Sequence, residues 1–239
     1  MDKNKIKLIA FDLDGTLTQH KTKLSVEHKE MLERLGKKYK LLMAGAGTCT
    51  RIFEQMNKFP IDILGNYGMQ YAEYENGKIK IVKDLKAPVD KETVEEKIAM
   101  LRKKYGYEKF KGEGVEYHPS GCVTFPLLGT KANQDEKLAF DPDRTKRRKF
   151  YKEVCEVFSD YRVFVGGSSS FDMAPYPYDK AYALSLYCQE NKISHDEVVY
   201  CGDDYGMGGN DEAVYKSDFN FIKIDDYRDF CEKVKFLVE

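Results

Sequence analysis

What this chain can fold into is constrained most by one stretch near its start, Lys7-Leu8-Ile9-Ala10-Phe11-Asp12-Leu13-Asp14-Gly15-Thr16-Leu17. An apolar run breaks there into two carboxylates, a glycine and a threonine. Leu8 to Phe11 carry no polar face, which is the pattern of a strand buried on both sides in a parallel sheet. Acids at the carboxyl end of such a strand lie where open α/β sheets present their ligand crevice, and Gly15 lets the backbone turn tightly beside a ligand. Side chains two apart on a strand share a face, so Asp12 and Asp14 converge on one site if the extended geometry persists. Like charges that close call for a hard, oxygen-seeking cation. Magnesium, which takes one or two carboxylates with waters and a substrate phosphate, is the expected one.

Charge narrows the partners. Lys plus Arg (39) nearly balances Asp plus Glu (40), so no global field draws the chain to nucleic acid or to an anionic membrane. Phosphate recognition must be local. A length of 239 residues with 42% apolar content allows one large domain or two modest ones. The six cysteines (Cys49, Cys122, Cys155, Cys188, Cys201, Cys231) show neither C-x-x-C nor zinc spacing, and no signal segment or long apolar run stands out. The expectation is a reduced, cytoplasmic protein whose cysteines are small buried hydrophobes.

Along the chain, Ser25 caps a crossover helix with Val26, Met31, Leu32 and Leu35 inward, ending at Gly36. Lys40 to Ala44 is a second buried strand. Gly45-Ala46-Gly47-Thr48 then opens a helix, a glycine-rich turn suited to an anion. Ile61 to Leu64 forms a third strand, and Asn76-Gly77 between alternating segments signals a hairpin. The pattern changes to antiparallel there. A domain boundary falls near Leu85, giving a core of residues 1–84 and 178–239 and an α+β insertion of residues 85–177, expected to act as a lid. Inside the insertion, residues 92–105 read as an amphipathic helix, and a basic helix runs from Asp143 or Thr145 to Phe158. Its cluster Arg144–Lys149 reads as a solvated face. Tyr161–Val165 and Ser170–Ala174 read as strands.

The parallel pattern resumes at Asp179-Lys180, which starts an apolar helix, and at the buried strand Val198–Cys201. A glycine-rich acidic loop follows, from Gly202-Asp203-Asp204 to Asn210-Asp211. If this strand neighbours the first, the loop's acids meet Asp12 and Asp14 at one sheet edge as a divalent metal site. Lys180 supplies positive charge against a developing anion and is held by an acid such as Asp211.

Asp12-Leu13-Asp14-Gly15-Thr16 resembles the Asp-x-Asp-x-Thr motif of the haloacid dehalogenase (HAD) superfamily. The order of the later motifs is similar to it over nearly the whole chain. The resemblance implies an α/β fold: a Rossmann-like parallel-sheet core with a late-inserted α+β cap. It implies that Asp12 is a phosphorus-attacking nucleophile, Asp14 a general acid and base, and Lys180 a phosphate-neutralising cation. Magnesium would be held by Asp12, Asp203 and the main-chain carbonyl of Asp14, with Asp204 an alternative ligand and Asp211 and Asn210 behind them. Thr48 is the candidate for the hydroxyl that holds the phosphoryl group.

Within the superfamily, the run Gly202 to Asp211 is most similar to the loop of the eukaryotic-type phosphomannomutases. Ser170 and Asp172 then correspond to sugar contacts. That family grips a distal phosphate with cap arginines, and His118 through Lys137 contains none, leaving Lys131 and Lys137 as point charges without the bidentate fork. The expected activity is magnesium-dependent hydrolysis of a small phosphate monoester, a sugar phosphate, through a phosphoaspartate. A phosphomannomutase-like hexose-phosphate mutase is the alternative, and a non-catalytic sugar-phosphate-binding protein a third reading. Oligomeric state is open, a homodimer through the cap included.

Overall fold

The structure is a computed structural model that describes residues 1–239. It divides into two compact units, Met1–Leu85 with Asp179–Gly206 and Asp211–Glu239, and Lys86–Tyr178 with Met207–Asn210. No helix is long and apolar enough to cross a membrane.

The first unit is built on β1 (Leu8–Phe11), each residue of which is fully buried. It lies inside a seven-stranded sheet, third from one edge, in the order β11-β10-β1-β2-β3-β4-β5. β2 (Lys40–Ala44) and β10 (Val198–Gly202) flank it in parallel, with β3 (Asp62–Gly65) and β11 (Asn220–Lys223) outside them. The hairpin of β4 (Gln70–Glu75) and β5 (Lys78–Asp84) extends the sheet antiparallel through the turn at Asn76-Gly77. The pleat sorts the core. Ile9, Phe11, Met43, Ile63, Val199 and Cys201 face one apolar layer, while Leu8, Ala10, Leu42, Ala44, Val198 and Tyr200 face the other.

Helix α1 (Val26–Gly36), capped by Ser25, covers the first layer together with α2 (Cys49–Gln55). Val26 was expected on the inward stripe, yet it is 73% exposed. The buried set His28, Met31, Leu32 and Leu35 is the i, i+3, i+4, i+7 row, and Val26 falls outside it. His28 fills the place, with Nδ1 2.7 Å from the Leu17 carbonyl.

The second unit, the cap, carries α3 (Lys91–Tyr105) and an antiparallel sheet ordered β6-β7-β9-β8. Its strands are β6 (Glu116–Tyr117), β7 (Val123–Pro126), β8 (Tyr161–Phe164) and β9 (Ser170–Pro175). Val123, Phe125, Phe171 and Met173 pack with Val94, Ile98 and Leu101 of α3, so the alternation turns Thr124, Ser170 and Asp172 to the opposite face. Helix α4 (Gln134–Phe140) begins with an Asn133/Glu136 capping box.

The single basic helix expected to reach Phe158 is broken at Lys149-Phe150 into α5 (Thr145–Arg148) and α6 (Tyr151–Val157). Its basic cluster is not all solvated: Arg147 is fully buried and ion-paired to Asp141 (Nε to Oδ2, 2.8 Å). Back in the first unit lie α7 (Lys180–Asn191), α8 (Glu212–Tyr215) and α9 (Phe230–Val234). The segment Met207–Asn210 was expected in the core but groups with the cap. The Val165 N–H donates to the Gly208 carbonyl at 2.7 Å and Arg148 Nε to the Met207 carbonyl at 3.0 Å.

Candidate active site

Parallel pairing in register, Phe11 with Met43 and with Cys201, makes the chain leave β1, β2 and β10 at one edge of the sheet. Asp12 therefore emerges beside the loop that carries Asp203. Lys180, at the first position of α7, reaches the same point. Its Nζ donates to Asp12 Oδ1 at 2.5 Å and to Asp211 Oδ1 at 2.7 Å, with all three side chains buried. Asp211 also accepts from the Tyr200 hydroxyl (2.6 Å) and, at Oδ2, from the Asp204 N–H (3.0 Å). Both its oxygens are thus engaged, and it works as an anchor for the lysine.

Asp203 is oriented by Thr16, whose hydroxyl donates to Oδ1 at 2.9 Å. Gly15 is required here: its φ is +102°, and a Cβ would stand 2.4 Å from Asp203 Oδ2. Carboxylate oxygens of Asp12, Asp203 and Asp211 lie within 4.8 Å of one another. Three acids against one lysine leave a site two charges short of neutral, which fits a divalent cation.

The electrostatics say the same. Burial pushes the Asp12 carboxyl up and Lys180 opposes this, but the charges of Asp211 and Asp203 leave it well above the ordinary range. Burial, reinforced by Asp211, pushes Asp203 up to about 7. Lys180 is raised despite its burial, because Asp12 and Asp211 both hold its charged form.

A stability consequence follows with a definite sign. An acid raised in the folded state contributes stability that is complete below the ordinary carboxylate pKa and is lost as pH rises through the raised value. Metal-free protein should therefore lose stability between about pH 5 and pH 8, and Mg2+ should restore it. The gap between metal-loaded and metal-free thermal midpoints is expected to widen by on the order of 5 °C over that range. A gap independent of pH in thermal scans would mean the acids do not share a cation.

Asp14 does not converge with Asp12 as an extended strand would place it. β1 ends at Phe11, and the chain turns back, with the Leu17 and Thr18 N–H groups donating to the Leu13 carbonyl. The Asp14 carboxylate instead accepts from the Lys21 N–H (2.7 Å), Gln55 Nε2 (2.6 Å) and Arg51 Nη2 (2.9 Å). Burial opposes ionisation, yet these three donors outweigh it and hold the carboxyl below its usual range.

The other expected residues separate. Thr48 is exposed and caps α2, its hydroxyl accepting from the Arg51 N–H at 3.2 Å. Asp204 is buried but outside the acid cluster. In the cap, Asp172 Oδ1 accepts from Thr124 Oγ1 (3.0 Å) and Ser170 Oγ (3.4 Å), and burial raises its pKa. His118 Nε2 lies 3.0 Å from the same Thr124 hydroxyl. The Lys137 ammonium is held by the Thr130 carbonyl at 3.1 Å, and Asn210 belongs with the cap unit. Sequence reading missed Tyr200, Arg51 and Gln55, and named Thr16 in the motif without its bond to Asp203. Tyr200 left a signal, a lone hydroxyl in the otherwise apolar run Val198–Cys201.

The chain is similar to known proteins in both structure and sequence. Among solved structures, the chain is similar to a Plasmodium falciparum IMP-nucleotidase (TM-score 0.71, 14% identity, 97% of this chain and 68% of that one). It is also similar to a phosphatase of the haloalkanoate (HAD) superfamily from Bacteroides thetaiotaomicron (TM-score 0.64, 17% identity, 98% and 96%). At these identities the likeness establishes the HAD fold. Among sequences, phosphomannomutases of Triticum aestivum (27% identical, 88% of this chain and 86% of the relative) and Galdieria sulphuraria (28%, 90% and 88%) align over most of both chains. The family model for eukaryotic phosphomannomutase matches residues 28–234, which span both units and reach every acid and lysine of the site after Asp14. The chain accordingly belongs to the eukaryotic phosphomannomutase family.

Proposed function

We propose that the protein is a magnesium-dependent phosphotransferase acting on a hexose phosphate through a phosphoaspartate at Asp12, with the mutase outcome after which its relatives are named. The observation that carries this reading is the buried Lys180 clamped between Asp12 and Asp211 beside Asp203. Asp12, Asp203 and the Asp14 main-chain carbonyl would hold Mg2+, which supplies charge neutralisation at the transferring phosphoryl group.

The chain's own residues account for the steps. An Asp12 oxygen bonds to phosphorus as the bond from phosphorus to the sugar oxygen breaks, and Asp14, having taken up a proton from solvent on release from its present donors, gives that oxygen the proton. Lys180 offsets the charge on the attacked phosphate. Asp14 must exchange its present donors for the leaving oxygen. The phosphoaspartate then passes its phosphoryl group to another sugar hydroxyl, or to water, from which Asp14 takes the proton. Ser170 and Asp172 are assigned to the sugar. Six cysteines, none of them in a disulfide, support a place in a reducing cytoplasm.

One observation favours hydrolysis as a second reading. His118 through Lys137 offers no arginine to a distal phosphate, and Lys137 is turned onto a carbonyl. A paired assay decides. With a hexose 1-phosphate, Mg2+ and catalytic hexose bisphosphate, the isomeric 6-phosphate should form faster than inorganic phosphate is released. Phosphate release without isomer would assign the protein as a phosphatase, and neither product would remove both readings.

A further inference from the structure

The β2–α2 turn stands beside Asp12, and two of the groups expected to meet an anion there also have partners within the chain. Thr48 caps its own helix, and the Cys49 N–H donates to Gln70 Oε1 at 3.1 Å. What fills the turn is the side chain of Arg51, one helical turn on. A Cβ at Gly47 would stand 2.5 Å from Arg51 Nε and 3.0 Å from Nη2, so the bare Cα of Gly47 is the seat on which the guanidinium lies.

From that seat Arg51 donates one N–H to Asp14 Oδ2 at 2.9 Å while remaining 44% exposed. A guanidinium has five donors in a planar fork that matches phosphate oxygens. Arg51 also lines a cavity of about 300 Å3 with Lys21, Thr22, Lys23 and Gln55. The ammonium of Lys23 is taken by the Glu54 carbonyl, and Lys21 gives its backbone N–H to Asp14. Three cationic side chains and an amide thus line an opening beside Asp14. This is more positive charge than a counter-ion for Asp14 requires.

We propose that Arg51, seated on Gly47, binds oxygens of the substrate phosphate monoester at this opening, the contact assigned from sequence to Thr48. It rests on the phosphoryl-transfer reading above. Phosphate oxygens on its remaining N–H groups draw on the charge that now holds Asp14, so phosphate binding loosens Asp14 for its turn to the leaving oxygen. Gly47 is then selected by Arg51: a side chain there would displace the ligand.

Inorganic phosphate titrated calorimetrically into Mg2+-loaded protein tests this without turnover. Arg51→Ala is expected to weaken phosphate roughly 10–100-fold, the loss for one charge-assisted donor set. Arg51→Lys, which keeps charge without the fork, should fall between. Gly47→Ala, which leaves Arg51 present but unseated, should weaken binding at least about threefold. Because Arg51 is half exposed, these variants should keep the wild-type thermal midpoint. Wild-type phosphate affinity in Arg51→Ala would overturn the proposal and leave Arg51 as a counter-ion of Asp14. Arg51-dependent binding in a protein that turns over no hexose phosphate would uphold this contact while removing the functional reading.

Discussion

Replacing Asp12 with Asn is expected to abolish turnover while leaving the fold in place. The exchange is isosteric at a buried position, and Lys180 keeps its second partner, Asp211, at 2.7 Å. The amide cannot become an acyl phosphate, so the loss is that of a nucleophile, roughly 1,000-fold or more in kcat. Three measurements make the result specific. Acid-quenched wild-type protein should carry label from a 32P hexose phosphate and the variant none. Thermal unfolding should show both folded. The affinity for inorganic phosphate should survive in the variant, since Arg51 and Lys180 remain. Substantial activity in Asp12→Asn would end the phosphoaspartate mechanism whatever the family.

Much of this arrangement was legible in the sequence, for definite reasons. Leu8–Phe11 and Val198–Cys201 lack a polar face because both their faces are covered, which marked two parallel strands ending in acid-bearing loops; that the two are neighbours was a condition, and the β1–β10 pairing meets it. Asn76-Gly77 announced the hairpin because positive φ is needed at both positions, as observed at 52° and 84°. What escaped depended on where a chain turns. Nothing in Asp12-Leu13-Asp14 says that the strand ends at Phe11, and this decides whether the two carboxylates converge or part. Thr48 offered a hydroxyl at the right place in the chain, but it is exposed and its oxygen accepts from the Arg51 N–H in its own helix cap. Arg51 lay beyond the turn under inspection, and its role depends on the empty space above Gly47, a property of three dimensions. The basic run Arg144–Lys149 reads as solvent-facing by composition, and only packing shows that one of its members is buried.

That member, Arg147, carries the largest stability effect expected in the cap: Arg147→Ala should lower stability by about 3–5 kcal/mol. Its guanidinium is fully buried, with Nε on Asp141 Oδ2 and Nη1 on the carbonyls of Gly166 (2.6 Å) and Ser170 (2.8 Å). Truncation would leave the buried Asp141 carboxylate with the Lys146 and Arg147 backbone N–H groups but no counter-charge, and these carbonyls without their shared donor, which costs more than the ion pair itself contributes. Arg147→Lys keeps the charge but cannot span Asp141 and both carbonyls, so it should recover only part of the loss. Because the carbonyls belong to the loop that enters β9, the effect should be local in sequence. Asp172 Oδ2 sits so close to Gly166 that a Cβ there would be 1.9 Å away, so a shift of this loop moves Asp172 with it. Hydrogen exchange in Arg147→Ala should therefore accelerate in residues 141–172 before it does in β1 and β10. KM for a hexose phosphate should rise while phosphate affinity, set in the other unit, stays constant. A destabilisation below about 1 kcal/mol in denaturant titrations would mean that water or neighbouring donors replace the guanidinium. Arg147 would then be one basic residue among several, as its sequence context suggested.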